Sequence, residues 1–179
     1  MLLTGVKEIF QLARKSDWQV AAREVCRGER SVGALREALL ARSSRPRTQQ
    51  RAGYLLLHVH WRCPERLDDL LPDLLGLVGP GVPPAHPSLA RQVFSVFQDR
   101  DIPEDLAGAL LDAALATFLD RGAPTAARAR GLDAAANVAR QYAGLWGEVG
   151  AAARGIAADE SPGVRSIAQR VAAEADRAR

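Results

Sequence analysis

The sequence is short of most features that mark a particular chemistry. Lysine is nearly absent: Lys7 and Lys15 are the only two, and the other twenty-two basic residues are arginines. Cysteine occurs only at Cys26 and Cys63, too few for the disulfide framework of a small secreted domain, and the two thiols read as buried or incidental. No stretch approaches the ~20 apolar residues that a membrane helix requires. The opening MLLTGVKEIF has no basic region followed by an apolar run, so nothing in it directs secretion. The expectation is therefore a cytoplasmic protein in a reducing setting. No alternation of period two extends over a strand length, so a sheet has no pattern to grow from. Nor is there a nucleophile motif, a phosphate loop or a ligand set with the spacing a reaction needs, and the reading is a protein without enzymatic activity or cofactor.

What is present suits helices. The 179 residues are 47% apolar, enough to bury one core, so residues 1–179 read as a single domain. Residues 1–90 hold 9 alanines and residues 91–179 hold 24, so the second half is rich in the strongest helix former, one small enough for close packing. The net charge of +3 hides an asymmetry: residues 1–64 carry 12 basic and 5 acidic side chains, residues 65–179 carry 12 and 16. The total is too small to argue for nucleic acid by itself, but the front end is basic.

Apolar spacing near 3.6 runs through almost the whole chain, and capping and breaking residues divide it into about ten helices. Ser31 precedes the stripe Val32, Leu35, Leu39 and Leu40. Asp101 and Glu104 form a capping box around Pro103, Thr125 opens a further helix, and Ser161 stands before Pro162 at a first helical position. Stops fall at Gly28, at residues 79–84, at Gly122 to Pro124 and at the Asp159 to Pro162 corner. First helices are expected over Val32 to Ala41, Leu67 to Leu77, Leu106 to Leu119 and Leu145 to Ala158, with Val6 to Cys26 as an irregular capping pair. Second helices begin near Arg51, Arg91, Arg130 and Arg165, separated by 40, 39 and 35 residues, a period that signals a helical solenoid. The pattern predicts an all-α superhelix of about five antiparallel pairs, with 1–28 capping the repeats of 29–179. Asp133 interrupts the third apolar register and leaves it free to slip by a residue or two.

The segment Asp159-Glu160-Ser161-Pro162-Gly163-Val164-Arg165, with Ala168 and Val171, resembles the HEAT repeat, in which an Asp-rich corner, a Pro turn and a Val-Arg pair recur. Over residues 45–179 the order of Gln50 to Tyr54, Leu71 to Leu74, Ala90 to Val93 and Val164 to Ala172 is similar to a group of short bacterial HEAT-like proteins without an established activity. Some of these carry the name adenylosuccinate lyase. That name does not suit this chain: the lyases are far longer, and Ser43-Ser44-Arg45-Pro46-Arg47 lacks the lysine and asparagine of their signature loop.

Candidate sites follow. His58 to Cys63 is the densest run of reactive side chains. His60 and Cys63 share a face at i, i+3, whereas His58 lies about 160° away around a helix of ~3.6 residues per turn. With His86 an uncertain third ligand, the histidines read as hydrogen-bonded at a helix end and no metal is assigned. The repeated arginines read as a ladder pairing with acids or carbonyls, as Arg165 with Asp159. Asp68 with Asp69, Asp99 with Asp101, and Asp159 with Glu160 read as caps and dipole partners. The binding surface expected is a groove exposing Arg47, Arg51, Tyr54, His58 and Trp61, with Arg42 and Arg45 extending its basic edge. A protein partner is the first expectation. Nucleic acid is the alternative, because alkylpurine DNA glycosylases of HEAT-like architecture hold DNA in a basic concave groove and a row of guanidinium groups holds phosphates.

Overall fold

A computed structural model describes residues 14–40, 46–78, 88–156 and 158–178, and these are helical throughout, with no strand among them. The helices are α1 (Lys15–Arg27), α2 (Val32–Leu40), α3 (Pro46–His60), α4 (Leu71–Gly76), α5 (Leu89–Phe97), α6 (Glu104–Leu119), α7 (Thr125–Gln141), α8 (Trp146–Arg154) and α9 (Pro162–Arg177). Tighter 3₁₀ segments, Pro64–Leu70 and Ala143–Leu145, lead into α4 and α8. Of the capping pair expected over Val6 to Cys26, residues 6–13 lie outside the described residues and α1 occupies most of the rest; Arg42, Arg45, His86 and the breaker run at 79–84 also lie outside them.

Local chemistry places most helix ends. The Ser31 hydroxyl accepts the Gly33 N–H at 3.0 Å ahead of α2, and the Ser161 hydroxyl accepts the Val164 N–H at 3.4 Å with Pro162 opening α9. Gly28 closes α1 at φ 78°, a left-handed conformation that a Cβ would disfavour. Three expectations need correction. The Asp101–Glu104 box does not form: α6 begins at Glu104 behind Pro103, and no side chain caps it. Thr125 is the first residue of α7 but caps nothing, since Pro124 holds the cap position. The helix expected over Leu67 to Leu77 is split, because Pro72 has no N–H to return to the Asp68 carbonyl. The chain takes a 3₁₀ course up to that point, with the Leu71 N–H bonded to the Asp68 carbonyl.

Packing follows two series of neighbours. α3 packs on α5, α5 on α7 and α7 on α9, while α4 touches α6 and α6 touches α8. α1 and α2 both lie against α3. A single apolar cluster runs from Ala21 to Ala175, with Phe94, Phe97, Phe118, Leu55 and Leu56 sealed inside. The most extensive pairing is α6 with α7, where Gly131 approaches so closely that a Cβ there would stand 2.8 Å from the Ala114 carbonyl oxygen. Polar clips hold successive helices together. Gln49 donates to the Leu39 carbonyl at 3.2 Å, and Arg128 donates to the Phe118 carbonyl at 2.8 Å, each ten residues back and at the start of a second helix.

Cys26 and Cys63 form a disulfide, with Cα atoms 5.8 Å apart. This corrects the expectation of two incidental thiols. α1 runs beside α3 so that Trp18 meets Tyr54 and Cys26 meets the turn after His60. A separation of 37 residues carries no sign of that juxtaposition.

Candidate functional site

The expected groove lies along one face of α3. Arg47, Arg51, Tyr54, His58 and Trp61 follow one another at spacings of four and three, so the helix aligns them. The middle of that row is covered. Trp18 from α1 stacks on Tyr54 with ring centroids 4.5 Å apart, and His58 is buried behind it. Arg47 is exposed and Arg51 and Tyr54 are half-buried, while Trp61 is the most exposed large apolar side chain among the described residues, at 61%. The His58 ring meets the Trp61 ring edge-on, with centroids 5.3 Å apart. Burial, followed by the charges of Lys15 and Arg62, lowers the His58 pKa below its ordinary value, so this imidazole is neutral at neutral pH. Lys15, Gln19, His58, Trp61 and Arg62 line a recess of about 400 Å³.

A larger cleft of about 820 Å³ also has Trp61 in its lining. Its floor and ends are His60, Leu71, Ile102, Pro64 and Pro103, and its rim carries Glu65, Asp68, Asp99 and Asp101. The walls come from two places that meet across separations of 32 and 39 residues: the end of α3 with the 3₁₀ turn after it, and the corner between α5 and α6. Two contacts tie them. His60 Nε2 lies 2.8 Å from Asp99 Oδ1, and Arg100 Nη2 pairs with Asp68 Oδ1. The corner itself is clamped from behind by α7. Asn137 donates to the carbonyls of Phe97 and Arg100 at 2.9 and 2.8 Å, and Gln141 donates to the Arg100 carbonyl at 3.0 Å. The Ile102 N–H donates to Gln141 Oε1, and the Tyr142 hydroxyl donates to the Ile102 carbonyl, both at 2.8 Å. Four hydrogen bonds with α7 and a fifth from Tyr142, the residue just after it, therefore hold residues 97–102 in place, and the cleft is preformed.

Within this frame His60 is 95% buried and Arg100 91% buried as side chains, yet His60 Nδ1 and Arg100 Nε and Nη1 have no hydrogen-bond partner among the described residues. Glu65 and Asp101 are exposed and enter no ion pair among the described residues. Sequence reasoning met some of these residues in other roles. His60 read as hydrogen-bonded at a helix end, and at the end of α3 it is bonded to Asp99; Asp68, Asp99 and Asp101 read as caps and dipole partners, whereas Asp68 pairs with Arg100, Asp99 with His60, and Asp101 caps nothing. Arg100 was not singled out. The available signal was the charged corner Asp99-Arg100-Asp101 ahead of Pro103, standing 39 residues from His60 and 32 from Asp68, close to the repeat period.

The other expected constellations are structural. Arg165 donates to the Ala158 carbonyl at 2.6 Å rather than to Asp159, and Arg130 reaches Gln98 and Asp133. Asp159 and Glu160 are bridged by Arg121, and Arg128 holds both Glu160 oxygens at 2.8 Å. The Arg128 hydrogen bonds, with Arg121 beside them, draw the Glu160 pKa down to about 2. Cys63 is committed to its disulfide, and among the described residues no group of three or more His, Cys, Asp and Glu side chains stands close enough to hold a metal ion. No described helix is long and apolar enough to cross a membrane. Compared with family models, with curated proteins and with solved structures, the chain finds no match.

Proposed function

We propose that this chain is a HEAT-like α-superhelix of about five helix pairs that binds another protein without catalysing a reaction. The two series of packed helices, α3-α5-α7-α9 and α4-α6-α8, support the superhelix, since each pair would cover the open face of the next. The observation that carries the binding reading is Trp61. An indole left 61% exposed, on a frame locked by a disulfide at Cys63 and flanked by two concave surfaces, has the character of an interface anchor. The charges lining these two concave surfaces differ. Lys15 and Arg62 stand on one, Glu65, Asp68, Asp99 and Asp101 on the other, which suits a polar protein segment laid across the indole.

Nucleic acid is the second reading. The recess of Lys15, Gln19, His58, Trp61 and Arg62 combines an exposed ring with two cations that have no ion-pair partner among the described residues, the elements of a stacking platform. The four carboxylates of the larger cleft, which the same ring lines, repel a polyanion, which ranks this reading below the protein partner. The proposed cytoplasmic location is in tension with the Cys26–Cys63 bond, because disulfides are rare where glutathione keeps thiols reduced. Thiol counting on protein trapped by alkylation at lysis separates the two settings.

The function is tested by selecting displayed random peptides on the wild-type protein, with Trp61→Ala as the counter-target, beside anisotropy titrations of labelled oligonucleotides at low and near-physiological salt. Enrichment of peptides that bind only when Trp61 is present supports the proposal. Enrichment indifferent to Trp61, or none alongside oligonucleotide binding that falls steeply with salt, replaces it with the nucleic-acid reading or with another surface.

A further inference from the structure

We infer that the cleft between Trp61 and the α5–α6 corner receives an arginine or lysine side chain from a basic segment of the partner protein. The inference rests on the protein-binding reading above and assigns the chemistry of its occupant. Its volume, about 820 Å³, lies in the range of specific ligand pockets, roughly 300–1,000 Å³. The rim is lopsided in charge: four carboxylates stand against the single guanidinium of Arg100. Two of the four are already used, Asp68 by Arg100 and Asp99 by His60. The remaining two, Glu65 and Asp101, are exposed, free of ion pairs among the described residues and not consumed as helix caps, so the cleft retains negative charge with no internal match. A cation in this cleft lies among carboxylates and beside the exposed Trp61 indole, whose quadrupole attracts positive charge.

Buried groups on the wall say what else the occupant offers. His60 and Arg100 line the cleft with side chains more than nine-tenths buried, and His60 Nδ1 and Arg100 Nε and Nη1 have no hydrogen-bond partner among the described residues. A simple metal ion or a lone amine answers only the first of these. A peptide answers both, since its backbone carries N–H donors and carbonyl acceptors alongside the basic side chain. The α7 clamp on residues 97–102 fixes this wall in advance, so little ordering remains when a peptide docks.

The test is fluorescence anisotropy on the full chain with a labelled peptide of alternating arginine and glycine, and with two counterparts in which citrulline or glutamate replaces arginine. The arginine peptide is expected to bind, the citrulline peptide roughly tenfold or more weakly, and the glutamate peptide not at all. Glu65→Gln combined with Asp101→Asn, two exposed positions whose change leaves the core intact, is expected to weaken the arginine peptide by roughly the same factor. Equal titration of arginine and citrulline peptides, or a double variant that binds like wild type, overturns the inference. If the arginine peptide fails while display selection returns Trp61-dependent peptides without basic residues, this inference falls and the protein-binding reading stands. If nothing depends on Trp61, both fall.

Discussion

At the scale of single residues, the chain's described arginines are mostly tied down, and a few charged groups left over lie on the proposed binding face. Glu160 shows how firmly. Its pKa, drawn down to about 2 chiefly by the hydrogen bonds from Arg128, means that the folded state favours the carboxylate. A carboxyl group depressed on folding stabilises the protein fully above its unfolded pKa of about 4.5, and that contribution is lost as pH falls through the folded value. Urea midpoints measured between pH of about 5 and about 2 are expected to drop more steeply for wild type than for Glu160→Gln, which starts lower at neutral pH and changes less over that window. A second residue-scale expectation concerns Gly131. Alanine there puts a Cβ 2.8 Å from the Ala114 carbonyl, a backbone atom that cannot swing aside, so α6 and α7 must separate. Gly131→Ala is expected to cost about 1–3 kcal/mol in urea unfolding, although alanine favours helix more than glycine does.

At the scale of elements, what was readable depended on the range of the interaction. The starts of α2 and α9 were legible because Ser31 and Ser161 act on N–H groups two or three residues away. The start of α6 differs from the expectation because Asp101, Pro103 and Glu104 have the right order for a box, but the corner is held by Asn137 and Gln141 of α7 and by Tyr142 just after it, which take hold of Phe97, Arg100 and Ile102 instead. The split of the Leu67 to Leu77 helix was legible in Pro72 and was outweighed by apolar spacing. Asn137→Ala removes a donor from two carbonyls of the corner, Phe97 and Arg100, leaving Gln141 as the remaining side-chain donor to the second, and is expected to cost about 1–3 kcal/mol. Hydrogen exchange separates this from a general weakening: amides of residues 99–102 are expected to lose protection before those of α8 and α9 do.

At the scale of the whole molecule, the Cys26–Cys63 bond joins the first described helix to the end of α3, closing a loop across 37 residues. Constraint of the unfolded chain by a loop of this length corresponds to about 4 kcal/mol. Cys26→Ser with Cys63→Ser, or reduction of the wild type, is therefore expected to lower the urea midpoint, and a reductant is expected to leave the double variant unchanged. The same bond fixes the turn that carries Trp61 between the two concave surfaces. Loss of peptide binding in the double variant, with its far-ultraviolet circular dichroism retained, would show that the cross-link serves the site as well as the fold.

Composition and periodicity were sufficient to determine that the chain is helical, because helix propensity, apolar spacing near 3.6 and caps such as Ser161 all act within a few residues along the backbone. The row from Arg47 to Trp61 was visible for the same reason: one helix generates it. What the sequence could not determine was which part of that row stays open. That depended on Trp18 lying over Tyr54, on Cys26 meeting Cys63, and on His60 and Asp68 reaching a corner 39 and 32 residues further on. Each is a contact between helices whose mutual placement arises from side-chain packing over the whole core, and a local pattern carries no record of it. Tertiary structure therefore decided the acidic cleft, its clamp and the free carboxylates of Glu65 and Asp101, while the sequence alone determined the helices that carry them.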